Sequence, residues 1–265
     1  MPFVGFWMIQ MKIYFNANNK AHLETLKACG AKNVLLAYKY SYANIKKFYG
    51  NFDSIMVVAG IGVNPDKYHS WLKDKKEYYN YATQFDVYYD MEKTIKHWEN
   101  EKKEGIDWTL PVLQENYLQH ISRIRPKSGS YVCLGEIKGK FETEDQMRKL
   151  PANLKFHGLA KGKFIQDRKF HSIDTSGWVS AAMSKKTEVW SGNSTYSMYF
   201  GQKGRGMTPM LRHSCEVYKD NMDKLGINID DVINADYFAL LKIPLALLFM
   251  PMCKALNMYD ENFNN

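Results

Sequence analysis

The stretch Leu154–Val179, LKFHGLAKGKFIQDRKFHSIDTSGWV, decides the fold. Two short β-like runs, Leu154–Phe156 and Phe170–Ile173, each stop at polar or glycine residues. The first runs into His157-Gly158, the second into Asp174-Thr175-Ser176-Gly177-Trp178. A buried strand that breaks off at an acid, with hydroxyls and an indole behind it, is the way α/β barrels carry chemistry.

Outward from that stretch, strand-like and helix-like segments alternate. Lys12–Phe15 stops at Asn16, and a helix over 22–29 closes on Gly30. Asn33–Ala37 and Ser54–Ala59 read as strands, the second running into Gly60-Ile61-Gly62, with a short helix over 42–48 between them. The spacing predicts one helix over 65–83, a strand Phe85–Tyr89 ending at Asp90, and a helix over 91–104. Thr109–Leu113 then ends at Gln114, and Ser130–Leu134 ends at Gly135-Glu136, with helices over 115–124 and 142–150.

About eight such βα units imply parallel strands, right-handed crossovers and a TIM-type (β/α)8 barrel. An open doubly wound sheet is the alternative; no G-x-G-x-x-G follows the first strand, which weakens its dinucleotide-binding form. The expected organisation is an extension over 1–10, a barrel over 11–183, and a basic, aromatic segment with C-terminal helices packed on the barrel over 184–265. Residues 180–206 read as a polar loop, and helical patterns return over 209–225 and 235–258.

Composition narrows the function classes. With 45% hydrophobic and 24% charged residues, wholesale disorder is excluded. Four dispersed cysteines without a CxxC pair argue against a local zinc site or a disulfide framework, so a reducing, cytoplasmic setting is expected, with no metal and no cofactor. The apolar run Ile243–Met252 is too short to span a bilayer and holds Pro244 and Pro251; it reads as a buried, kinked helix. A net charge of +8 favours an anionic partner such as nucleic acid.

In a barrel the strand ends share one face, which brings Asn16, Gly60, Asp90, Gln114, Glu136, His157 and Asp174 around one mouth. Two acids on different strands can divide nucleophile or base from recognition, and a Gln with glycine backbone can read the edge of a planar heterocycle. His157 reads as a hydrogen-bonded group, not a metal ligand. Downstream, Lys185, Lys186, Lys203, Arg205 and Arg212 interleave with Trp190, Tyr196, Tyr199 and Phe200. Basic residues for phosphates and rings for bases suit a nucleic-acid surface, with a solvated loop as the plainer reading.

The pieces SIMVVAGIG, FDVYYDM, TLPVLQENYLQHI, YVCLGEIKG, LKFHGLAKG and FHSIDTSGWV resemble, in order, a phage-type branch of the guanine transglycosylases. Those TIM-barrel enzymes exchange a guanine for a 7-deazaguanine in tRNA or DNA. The resemblance implies that Asp90 and Gln114 hold the base, that Gly158 lines the pocket with Gly60, His157 and Glu136 nearby, and that Asp174 is the nucleophile. The sequence departs from the family at three places, one of them the missing Cys-rich zinc motif of the tRNA enzymes. In the tRNA enzymes the nucleophile sits a few residues further along, where this chain has Gly177. The family's third strand ends in Asp-Ser-Gly, whose Asp serves in acid–base work, where this chain has Val58-Ala59-Gly60; either Asp90 or Glu136 takes that catalytic role, or the chemistry is altered or lost. The resemblance therefore implies either base exchange in DNA or tRNA through a covalent Asp–sugar intermediate, or a barrel that binds nucleic acid or nucleotide without exchange.

Overall fold

The structure, a computed structural model, describes residues 11–41, 45–135, 149–159, 170–199 and 207–264. They fall into two compact units: 11–18 with 33–175, and 19–32 with 176–264.

The first unit is the barrel. Its strands are β1 (Lys12–Ala17), β2 (Asn33–Ala37), β3 (Ser54–Val58), β4 (Tyr81–Ala82), β5 (Val112–Leu113), β6 (Tyr131–Leu134), β7 (Lys155–Gly158) and β8 (Ser172–Thr175). All pair in parallel, in the order β4-β3-β2-β1-β8-β7-β6-β5. The two outer strands meet through a parallel bridge between Thr83 and Leu110. There Leu110 N–H donates to the Ala82 carbonyl and Gln84 N–H to that of Leu110, each at 2.8 Å, so the ring closes. Runs such as NVLLA and SIMVV are buried on both faces, as a parallel barrel requires. Tyr14, Leu35, Met56, Leu110, Val112 and Cys133 form one interior cluster, with Val58, Tyr81, Tyr131 and Leu159 packed against it.

Two sequence expectations need correction here. The predicted helix over 65–83 stops at Asp74, and the fourth strand is Tyr81–Ala82, not Phe85–Tyr89. The segment 83–90 is rich in β-forming residues, but the helix Met91–Lys103 takes its backbone donors. Phe85 N–H goes to Glu101 Oε1 at 2.7 Å and Val87 N–H to Thr94 Oγ1 at 2.9 Å. Tertiary hydrogen bonding overrides strand propensity.

The second unit contains helices Lys20–Ala28 and Gly177–Ser184, although the sequence reading assigns both to the barrel. Residues 186–199, read as loop, form the antiparallel hairpin β9 (Lys186–Trp190) and β10 (Thr195–Tyr199). Helices Pro209–Val217 and Lys219–Lys224 follow. The apolar C-terminal helix runs continuously over Tyr237–Ala255, within the expected 235–258. It holds its prolines with a π turn at Leu245–Phe249, where Met250 N–H reaches the Leu245 carbonyl five residues back. Pro251 has no N–H to donate, and the widened turn gives its ring room. Two-thirds of this stretch is buried, as in a core helix.

Candidate active site

Asp174 stands on β8 in register with Tyr14 on β1, so both side chains face the barrel interior, as does Asn16 two residues further along. His157 on β7 pairs with Ser172 on β8 and with Cys133 on β6, which puts it on the same face. Asn16 Nδ2 donates to Asp174 Oδ2 at 2.9 Å, and His157 Nε2 lies 3.4 Å from Oδ1. The other ring nitrogen, Nδ1, is 2.8 Å from Ser172 Oγ. The Tyr14 ring meets the imidazole edge-on at 5.6 Å, and its hydroxyl shares a hydrogen bond with Ser54 Oγ at 2.8 Å. Burial pushes the phenol of Tyr131, on β6, up to about 12.

This chain of polar groups runs through an otherwise apolar interior. His157 and Ser172 are fully buried and Asp174 nearly so. A buried carboxylate persists only where it is paired: Asn16 donates to Oδ2, and the imidazole of His157 faces Oδ1 at ion-pair distance. The arrangement fixes its rotamer at the C-terminal end of β8, the end where barrels do chemistry. Cys133 is held inert beside it: burial pushes its thiol far up, and the charges of Asp174 and Asp86 push in the same direction.

A second polar pair forms where β5 ends. Gln114 Nε2 donates to Asp86 Oδ2 at 3.0 Å, and its Oε1 accepts from Tyr89 N–H at 3.0 Å. Burial raises the Asp86 pKa, and the Gln114 hydrogen bond opposes the rise. Behind this loop the buried carboxylate of Glu101 accepts from Phe85 N–H, from Thr109 Oγ1 at 2.7 Å, and faces His69 Nε2 at 2.9 Å.

The other sequence-designated residues lie as follows. Asp90 is not at a strand end: it caps helix Met91–Lys103, accepting from Lys93 N–H at 3.0 Å, and pairs with Lys93 Nζ at 2.8 Å. Lys93 holds its carboxyl below the usual range. Gly158 is the last residue of β7, and Gly60 follows β3 with φ +86°, a left-handed conformation suited to glycine. Val58, at the missing Asp position, packs against the interior cluster. Lys185 ends helix Gly177–Ser184 in the left-handed region, and Lys186 opens β9 with Nζ 5.5 Å from the exposed Tyr199 ring. Arg212 pairs with Asp230 at 2.9 Å, beside Glu216, Lys219 and Asp223. Of the rings offered for stacking, Trp190 is buried and Tyr196 bonds to Ser214 at 2.8 Å. Trp178 is fully buried against His22, at 5.3 Å, and serves the core of the second unit. Glu136, Lys203, Arg205 and Phe200 lie outside the described residues.

Sequence reasoning missed Asp86, Ser172 and Tyr14. Asp86 was within reach, since it lies four residues before the designated Asp90; the misplaced strand hid it. Among the described residues no three His, Cys, Asp or Glu side chains converge to hold a metal ion.

No protein-family model matches the chain, and no curated protein matches it. Among solved structures the chain is similar to a mutant of FabK from Thermotoga maritima, at 10% identity over 94% of each chain, with a TM-score of 0.43. A likeness that distant carries no argument; the barrel stands on its own strand order.

Proposed function

We propose that the barrel exchanges a purine-type base in nucleic acid, with Asp174 as nucleophile. The observation that carries this reading is the Asp174 carboxylate, held by Asn16 on one oxygen and faced by His157 on the other at the C-terminal end of β8. Asp174 Oδ would bond to C1′ as the glycosidic C–N bond breaks, its electron pair leaving with the base, which takes up a proton. An incoming base would then attack C1′ through a ring nitrogen, giving up that nitrogen's proton in place of the one the departing base took, and expel the carboxylate. Asp86 and Gln114, an acceptor and an amide side by side, take the recognition role that the sequence reading gives to Asp90 and Gln114. In a duplex the target nucleotide would have to be extruded. Incubation with labelled guanine and with tRNA or DNA tests the reading. Exchange that survives Asp174→Asn, or denaturation-stable nucleic acid–protein adducts formed equally by that variant, would sink it.

The second reading is a barrel that binds nucleic acid without exchange. It is favoured by Val58, an apolar side chain in the interior where the resembled family carries an acid. Salt-sensitive binding with no exchange on any nucleic acid would support it.

A further inference from the structure

Five large hydrophobic side chains are exposed among the described residues of the first unit, and four of them follow three consecutive strands, Tyr40 within the short helix Tyr38–Ser41 and the others in connections. Tyr40 (49% exposed) follows β2, Ile61 (78%) follows β3, and Tyr88 and Tyr89 (51% and 50%) follow β4. These strands are neighbours in the sheet and leave the barrel at the same end, the end on which Asp174 and Gln114 lie. The four side chains therefore form one arc of the rim. Single exposed apolar residues are ordinary, but this clustering at one end is not.

The arc is held in shape. Tyr89 has φ +65°, a left-handed conformation that a bulky residue rarely adopts. Gln114 holds it there by accepting from its N–H at 3.0 Å, with the same side chain that bonds Asp86. The Tyr88 and Tyr89 rings lie 4.0 Å apart, centroid to centroid, and 43° from parallel, so they pack against one another while each stays about half exposed. A non-glycine outlier that a neighbour holds in place points to a conformation kept for use. Within the helix Tyr38–Ser41, Lys39 Nζ sits 5.8 Å over the Tyr40 ring.

We infer that this arc is a stacking site for unpaired nucleobases next to the target nucleotide, a conclusion that rests on the nucleic-acid reading above. Rings with exposed faces stack on bases of any sequence, and an adjacent ammonium suits the phosphates between them. The chain's charge of +8 selects such a polyanion over an apolar protein partner.

The test is fluorescence anisotropy with a dye-labelled single-stranded oligothymidylate and an abasic strand of equal length. Both are titrated with the Asp174→Asn protein, so that chemistry plays no part. Expected is tighter binding of the base-bearing strand, and a loss of about tenfold or more on Tyr88→Ala/Tyr89→Ala with abasic binding unchanged. Tyr88→Trp, which keeps a stacking face, should restore affinity, and Tyr40→Ala should give a smaller loss. Equal binding of the two strands, or Tyr variants that bind like the parent, would overturn the site. So would a concentration-dependent dimer by light scattering that Ile61→Ser abolishes, because the occupant would then be a second copy. Failure of base exchange with stacking intact counts against the catalytic reading alone.

Discussion

His157 Nε2 stands 3.4 Å from Asp174 Oδ1 because Ser172 Oγ, 2.8 Å from Nδ1, sets the plane of the ring from the far side. The relationship makes His157 a positioning residue: it touches the carboxylate, and Ser172 decides how. Ser172→Ala should leave a buried ring nitrogen without that partner, at a cost of about 1–3 kcal/mol in urea unfolding. It should also change the imidazole nitrogen shifts seen by NMR, which a purely packing role would not. In the exchange reaction kcat should fall while KM stays near that of the parent.

Glu101 is the anchor of the loop that carries Asp86. Its carboxylate is fully buried and takes donors from Phe85, Thr109 and His69. Glu101→Ala strands those groups without solvent, and the expected destabilisation is about 3 kcal/mol or more. Hydrogen exchange should quicken first at Phe85. Glu101→Gln keeps an acceptor and should fall between the parent and the alanine variant. Equal loss from both would mean that charge, not acceptance, is what the site needs.

Asp86 gives a pH signature. Its folded-state pKa is raised by burial, so the folded protein favours the neutral acid more than the unfolded chain does. No penalty exists below the ordinary carboxylate range. Stability is lost as pH rises from the unfolded value through the folded one, and the penalty is full above it. Asp86→Asn, which still accepts from Gln114, should therefore be more stable than the parent at neutral pH. The difference should vanish in acid. Melting curves across pH read this directly, and a variant less stable than the parent at neutral pH would contradict it.

Much of the barrel was legible in the sequence because its strands are short, apolar and separated by strong punctuation. NVLLA and SIMVV, for example, stop at Ala37 and Val58 within a residue of where the pattern placed them. The fourth strand was not legible. Two residues, Tyr81 and Ala82, carry no periodicity, and the following FDVYYD mimics a strand while its donors go to Glu101 and Thr94. The hairpin at 186–199 was hidden for a similar reason. Its alternation is diluted by lysine, serine and glycine, and the buried Val189, Trp190 and Met198 only make sense once paired. Asp174 was readable as a strand-end acid, but its partners come from β1 and β7, and no local pattern reports a contact between residues 16 and 174.

The two acids of the loop after β4 separate by experiment. Asp90 Oδ1 accepts from Lys93 N–H and Oδ2 meets Lys93 Nζ, so its carboxyl serves the helix start. With its pKa held down by Lys93, the stability it contributes is present above the ordinary carboxylate range and is lost as pH falls through the lower folded value. Asp90→Ala should lower Tm at neutral pH, and Asp90→Ser, another good cap, should recover most of the loss. Neither change should alter exchange kinetics once the protein is folded. Asp86→Ala should do the opposite, raising KM for the incoming base because Gln114 loses the partner that orients its amide. Exchange abolished by Asp90→Ser with Tm intact would return the recognition role to Asp90.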